Sequence, residues 1–272
     1  MAFIDSLDGK SGNLPNRENA YRTNPEFWDK TGFKVIGDWL GRKPAIDLLG
    51  DLHGKIVLET GCASGFVARL LAEPDRGAKE IHACDKISGG LQNAIAKERE
   101  HPMGIQYAQA KIDKLPFKDN VFDKILSTGV LIHDTEEEVI NFLKEAHRAL
   151  KPGGELVISI THPELFETTS PSRTGKAVWL SHRPMEQNVP LSKSQRFEED
   201  YLDNEGKNFP SVVWHHPKSF FIKSLKDAGF EIEHEQSIPV TEDVLRKSFH
   251  WGSISGYNAY WQIKVRAIKQ EG

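Results

Sequence analysis

A chain of 272 residues, 38% hydrophobic and 27% charged, has the composition of a globular protein large enough to bury a substantial core. No stretch approaches the roughly 18 apolar residues that a membrane-spanning helix needs, and MAFIDSLDGKSGNLPNREN lacks the basic-then-apolar order of a secretory signal, so a cytoplasmic protein without a membrane partner is expected. A net charge of −4 without a dense basic cluster argues against a nucleic-acid partner, and Cys62 and Cys84 are too few for a disulfide framework or a zinc site.

Residues 1–24 are polar and read as a loose lead-in. From Pro25, Phe27, Trp28, Phe33, Val35, Ile36 and Trp39 fall near helical spacing, and Pro44 opens a second helix, AIDLLGDL, that Gly54 is expected to stop. KIVLET (55–60) reads as a buried strand ending at Gly61, followed by a helix through Phe66, Val67, Leu70 and Leu71. EIHACD (80–85) is the second strand, Leu91 to Glu100 a helix, IQYAQA (105–110) the third strand and FDKILST (122–128) the fourth. A helix from about Thr135 to Leu150 has Asp134 or Thr135 as N-cap and three glutamates in its first turn, where carboxylates suit the positive end of the helix dipole. Lys151-Pro152-Gly153-Gly154 reads as a tight turn before a fifth strand, ELVISI (155–160). Strands alternating with helices imply a parallel sheet covered on both faces. Residues 163–214 break that rhythm and read as an insertion of loops and short helices. A helix from Pro217 to Gly229, the strand FEIEHE and a half-exposed strand YWQIKVRAI complete the chain.

The turn after the first strand, Glu59-Thr60-Gly61-Cys62-Ala63-Ser64-Gly65, lets a ligand approach the backbone at a helix N-terminus, although a plain strand-to-helix turn also uses glycine. Asp85 ends the next strand, where a carboxylate can accept two ribose hydroxyls. A dinucleotide would want glycine at position 63 and no acid at position 59, because a carboxylate beside a pyrophosphate is repelled. Glu59 is better matched by a cationic ligand without phosphates, and S-adenosyl-L-methionine, with its ammonium and sulfonium, is one.

IVLETGCASG resembles the first motif of class I S-adenosylmethionine-dependent methyltransferases, LPFKDNVFDKILST (115–128) their fourth-strand motif, and HRALKPGGELVIS (147–159) their turn and fifth strand. HHPKSFFIKSLKDAGFEIE (215–233) is similar to a segment of the small-molecule members. The resemblance covers roughly residues 50–162. It implies a Rossmann-like seven-stranded sheet, mostly parallel with helices on both faces and the last strand antiparallel, carrying a lid or insertion. It implies that Gly61, Cys62, Ala63 and Gly65 line the methionine part of the cofactor with Glu59 behind them. Asp85 would hold the ribose, with Lys86 and Ile87 beside the adenine. Ile112 and Asp113 are placed for an adenine contact, Lys111 standing where many members carry an Asp. Thr128 and Gly129 would face the sulfonium, and Tyr21, in a lead-in that folds over as a lid, would reach the cofactor carboxylate.

Organisation is expected as an N-terminal helical lid (1–50), a cofactor-binding core (51–162), a substrate-binding insertion (163–214) and a completion of the same sheet (215–272). His133, His162 and His215 follow or precede elements at the mouth of the sheet and are candidates to orient the acceptor and take its proton, His215 foremost. His216, His234 and His250 read as surface or structural. Trp179, Phe197, Tyr201, Trp214, Trp251, Tyr257 and Trp261 suit an apolar pocket or ordinary core. No metal cluster is evident. The expected activity is methyl transfer to an oxygen, nitrogen or carbon of a small metabolite by a monomer or homodimer, with S-adenosyl-L-homocysteine as product. A protein acceptor, a non-methylating protein that kept the fold, and an NAD-dependent reductase are the alternatives.

Overall fold

The computed structural model describes residues 38–166, 182–202, 208–241 and 258–269. Helix α1 spans Lys43–Leu49, β1 Ile56–Thr60, α2 Phe66–Leu71, β2 Glu80–Asp85, α3 Ser88–Glu100, β3 Ile105–Gln109 and β4 Phe122–Thr128. Helix α4 covers Glu136–Ala149 and β5 Leu150–Thr161. Three strands follow, β6 (His182–Pro184), β7 (Gln195–Leu202) and β8 (Asn208–His215); then α5 (Lys218–Asp227), β9 (Phe230–Pro239) and β10 (Asn258–Ala267). The main sheet has the order β3-β2-β1-β4-β5-β10-β9, with β10 antiparallel to both neighbours and the other six strands parallel to one another.

Strand order reverses between β1 and β4, so their carboxyl ends open a crevice where open α/β sheets take ligands. One face of the sheet is covered by α1, α2 and α3 through Ile46, Leu49, Val67, Leu71 and Leu91. The other is covered by α4 and α5 through Phe142, Leu143, Phe221 and Leu225, packed on Leu58, Ile125, Ile158 and Trp261. Helix α4 begins in a capping box. Glu138 N–H donates to Thr135 Oγ1 at 3.3 Å, and Thr135 N–H donates to Glu138 Oε2 at 2.8 Å.

Several expectations change. Helix α1 ends at Leu49 with Gly50 as its cap, four residues before Gly54. Helix α3 starts at Ser88, earlier than Leu91, because Ser88-Gly89-Gly90 has low helix propensity and left no apolar signal. Lys151–Gly154 does not separate two elements. Leu150 already pairs with Phe122 and Glu155 with Lys124, so the four residues bulge out of one continuous strand. The described part of the insertion is not short helices but a three-stranded antiparallel sheet, β6-β7-β8, with a single 3₁₀ turn at Pro163–Phe166. Strand β10 is buried on both faces over Tyr260–Ile263 and alternates as expected beyond, Val265 and Ala267 buried and Arg266 exposed. Gln262 reads as an outward polar residue but is fully buried, its amide donating to Gly41 O at 2.7 Å and Ser159 Oγ at 3.1 Å. That bond fastens the widened helical turn Asp38–Arg42 over the sheet. The helix expected from Pro25 lies outside the described residues apart from that turn.

Candidate functional site

A cavity of about 150 Å³ opens at the carboxyl ends of β1, β2, β4 and β5. A water needs about 10–15 Å³ on this measure, so the space admits a ligand rather than a packing defect. Glu59, Gly61, Cys62, Ala63, Asp85, Lys86, Ile87, Ile112, Asp113, Thr128, Gly129 and His133 all line it.

The loop after β1 is shaped by its backbone. Gly61 and Cys62 donate to Cys84 O at 2.8 and 3.0 Å, which ties the loop to the tip of β2. Gly61 has φ +69°, and a Cβ there would overlap Val130, so no other residue fits without displacing the segment after β4. Ala63 also lies in the left-handed region, at φ 47°, and its N–H donates to Asp85 Oδ2 at 2.8 Å. Asp85 Oδ1 accepts from Ile87 N–H at 2.8 Å. Asp85 therefore ties the loop after β1 to the turn after β2 and keeps one further lone pair on each oxygen for a ligand. Gly65 does not line the cavity; it caps α2 and packs on Tyr107 and Ala94.

Glu59 is the floor. It is 2% exposed, and its Oε2 has no hydrogen-bond partner among the described residues. Burial pushes its carboxyl up to about 8, and the neighbouring Arg42 opposes that shift without cancelling it. Cys62 and Cys84 are buried thiols; burial raises Cys62 well above its usual value and Cys84 to about 12, so neither is a nucleophile near neutral pH.

The three candidate histidines part company. His133, in the 3₁₀ turn Leu131–His133, lines the cavity. His162 is buried beyond β5 with Nε2 at 3.1 Å from Ser237 Oγ. His215 is buried at the end of β8, its Nε2–H donating to Leu191 O at 2.8 Å, with Phe166 and Phe197 packed on the ring. Neither of those two is among the cavity-lining residues: His162 is turned to Ser237, and His215 ends β8 two residues before Pro217, the cap of α5, with its ring on Leu191 O. His216 is structural as expected. Its Nε2–H donates to Asp134 O at 2.9 Å, Nδ1 meets Ser194 Oγ at 2.9 Å, and Trp214 and Phe220 stack on it. Phe197 and Trp261 are core residues; Tyr21, Trp179, Trp251 and Tyr257 lie outside the described residues.

The cavity also contains residues that sequence reasoning missed. Gly41 and Arg42 arrive from the turn before α1, Ser159 and Thr161 from β5, Tyr260 from β10, Asp134 from the segment after β4 and Glu138 from the first turn of α4. The β5 and β10 residues had a readable signal, since strand ends at a switch point are ligand positions. Arg42 and Asp134 had none, because their placement depends on contacts with distant strands. Among the described residues no cluster of three metal-ligating side chains occurs.

A family model described as a methyltransferase domain matches residues 58–158. The biotin biosynthesis bifunctional protein BioHC of Saccharophagus degradans is 34% identical over 112 residues, 41% of this chain and 19% of that protein. The tRNA U34 carboxymethyltransferase of Pseudoalteromonas atlantica is 32% identical over 120 residues, 43% of this chain and 35% of that protein. The chain thus spans between about a fifth and about half the length of the first curated relatives it matches. Among solved structures, an S-adenosylmethionine dependent methyltransferase from Mesorhizobium loti superposes with a TM-score of 0.59 at 21% identity, over 85% of this chain and 97% of the other. Residues 58–158 of this chain are thus a methyltransferase domain, and the strand order β3-β2-β1-β4-β5-β10-β9 with its antiparallel β10 is the fold it shares with that S-adenosylmethionine dependent methyltransferase.

Proposed function

We propose that the cleft takes S-adenosyl-L-methionine and that the chain transfers a methyl group to an oxygen, nitrogen or carbon atom of a small metabolite, releasing S-adenosyl-L-homocysteine. The observation that carries this reading is Glu59, a buried carboxylate with an unpartnered oxygen at the floor of the cavity, behind a loop that admits a ligand to its backbone. An anion placed there fits an ammonium group and repels a phosphate. When bound, the cofactor supplies an electrophilic methyl group on a sulfonium. The chain's own residues then bind and orient. Gly61, Cys62 and Ala63 accommodate the methionine portion and Glu59 its ammonium. Asp85 offers its remaining lone pairs to the ribose, and Lys86, Ile87, Ile112 and Asp113 border the adenine.

Thr128 and Gly129, at the end of β4, line the cavity and are assigned to the sulfonium, with His133 further along the same segment. Displacement at carbon needs alignment first, and positioning alone is worth ~7–11 kcal/mol. His133 is the group proposed to take the acceptor's proton where one must leave. The acidic net charge favours a small acceptor over a nucleic acid, although four of the curated relatives are named for tRNA. Among the described residues no helix is long and apolar enough to cross a membrane. Titration calorimetry with S-adenosylhomocysteine and NADH tests the cofactor. Binding of the former and not the latter is expected, and the reverse overturns the reading. Incubation with a metabolite extract and S-adenosylmethionine is then expected to make one component heavier by a methyl group.

A further inference from the structure

Asp134 is the second carboxylate of the cavity with an oxygen left over. It is 4% exposed, lines the cavity, and its Oδ2 has no hydrogen-bond partner among the described residues. It is also held in place, since His216 donates to its backbone carbonyl at 2.9 Å and the next residue, Thr135, caps α4. A buried acceptor fixed without a donor costs free energy that a ligand bringing one recovers.

The surroundings say what kind of donor. The groups whose charge acts on Asp134 are Lys86, Glu138, Asp113 and Lys111, all lining the same cavity. With Asp134 ionised, this wall sets three carboxylates against two ammonium groups, an excess that attracts a cation. One cation already stands by. Lys86 Nζ is 3.8 Å from Asp134 Oδ1, too far for a direct hydrogen bond, and its side chain is 41% exposed, so a closer cation displaces it at little cost.

Position says which molecule brings it. The contacts proposed for the ammonium, ribose and adenine of the cofactor come from the ends of β1 and β2 and the segment after β3. Strand β4 lies on the other side of β1 from β2 and β3, and Asp134 follows β4, next to His133. Lys86 reaches it only by crossing the end of β1 on a long, flexible stem. The segment from Thr128 and Gly129, assigned to the sulfonium, to His133, assigned to the acceptor's proton, is the half of the cleft that the acceptor enters.

We propose, resting on that function, that Asp134 holds a protonated amine of the methyl acceptor, which makes the acceptor a cationic metabolite selected over neutral and anionic ones. The test uses the full chain loaded with S-adenosylhomocysteine at about pH 8, above the value of about 7 to which burial lifts the Asp134 carboxyl. The probes are n-hexylamine and n-hexanol, equal in length. Calorimetry on wild type is expected to favour the amine by about ten- to hundredfold, the range for a hydrogen bond to a charged group. In Asp134→Asn and Asp134→Ser that preference is expected to fall to about threefold or less, with S-adenosylhomocysteine affinity within about threefold of wild type. Equal binding of the two probes to wild type, binding of neither, or a preference kept in both variants with native circular dichroism overturns the inference. Splitting a metabolite extract on a cation exchanger before incubation gives a second readout. The component that gains a methyl group is expected in the retained fraction, and its appearance in the flow-through overturns the inference. A chain that binds no S-adenosylhomocysteine overturns the proposed function, whereas one that binds it without preferring the amine overturns this inference alone.

Discussion

At the scale of single residues, the chemistry of the cleft is set by acids withheld from water. Glu59 sits at about 8 in place of its usual 4.5, with burial the dominant cause. In the ligand-free protein it is therefore mostly protonated at neutral pH, and a cationic ligand must expel that proton to gain a carboxylate. Apparent affinity for S-adenosylhomocysteine is expected to rise with pH by up to about tenfold per unit below about 8 and then level. Calorimetry across pH should show a shallower slope in Glu59→Gln; an unchanged slope would remove Glu59 from the site. The sign for folding is opposite. Between 4.5 and about 8 the unfolded chain has released this proton and the folded one has kept it. The ligand-free protein therefore loses up to about 1.4 kcal/mol per pH unit through this group as pH rises. His133 makes a separate prediction. As the cavity-lining member of the three histidine candidates, its Asn variant should lower turnover on an acceptor that loses a proton by about 10²-fold or more, with affinity for S-adenosylhomocysteine unchanged. Normal turnover in that variant would leave positioning alone as the source of catalysis.

At the scale of elements, the cleft depends on how two segments leave the sheet. The one after β4 is anchored at its far end by the capping box of α4, and Thr135→Ala removes the acceptor of Glu138 N–H. A loss of about 1 kcal/mol is expected, read as a fall in the urea midpoint at constant slope. A change in affinity for S-adenosylhomocysteine larger than threefold would show that the cap also sets the Ile132–Asp134 stretch. These elements were legible in the sequence because each carries a local signal: the branched apolar runs of β1 and β4, the glycines of the first loop, the three glutamates opening α4. The insertion was not, since strands such as QRFEEDYL acquire an inward face only from pairing, Phe197 lying opposite Val213. Two of the three histidines failed for the same reason. Position next to a strand end was readable, but the direction of the ring is fixed by partners far along the chain, Ser237 for His162 and Leu191 O for His215. Asp134 was hidden in a turn whose acids all looked like helix caps.

At the scale of the whole molecule, the parts that close the cleft are welded to the core. The turn carrying Gly41 and Arg42 is held by Gln262, from a strand more than two hundred residues away. Gln262→Leu keeps the volume but removes one of two donors to Gly41 O, Ser159 Oγ–H remaining at 3.0 Å, a loss of about 0.5–1.5 kcal/mol, and it loosens the turn that carries Arg42. Thermal melting should fall, with S-adenosylhomocysteine binding weakened beyond the loss in stability; a variant with wild-type affinity would place the turn outside the site. The insertion is bound more deeply. Phe166, Phe197 and Val213 belong to the same buried cluster as Phe142, Phe221 and Trp261, and a fully buried aromatic removes about 150–250 Å² from water. A lid on a hinge would carry its own small core and meet the body through polar contacts. Here the meeting surface is the core itself, and His216 joins that packing to Asp134 in the cleft wall. Replacing residues 163–214 by a short linker is therefore expected to abolish cooperative unfolding and cofactor binding together. Chemical denaturation followed by circular dichroism and calorimetry on the same preparation decide the matter. A shortened chain that melts cooperatively and binds S-adenosylhomocysteine within a few fold of wild type would make the insertion a separate lid, its buried phenylalanines a local contact and not part of the frame.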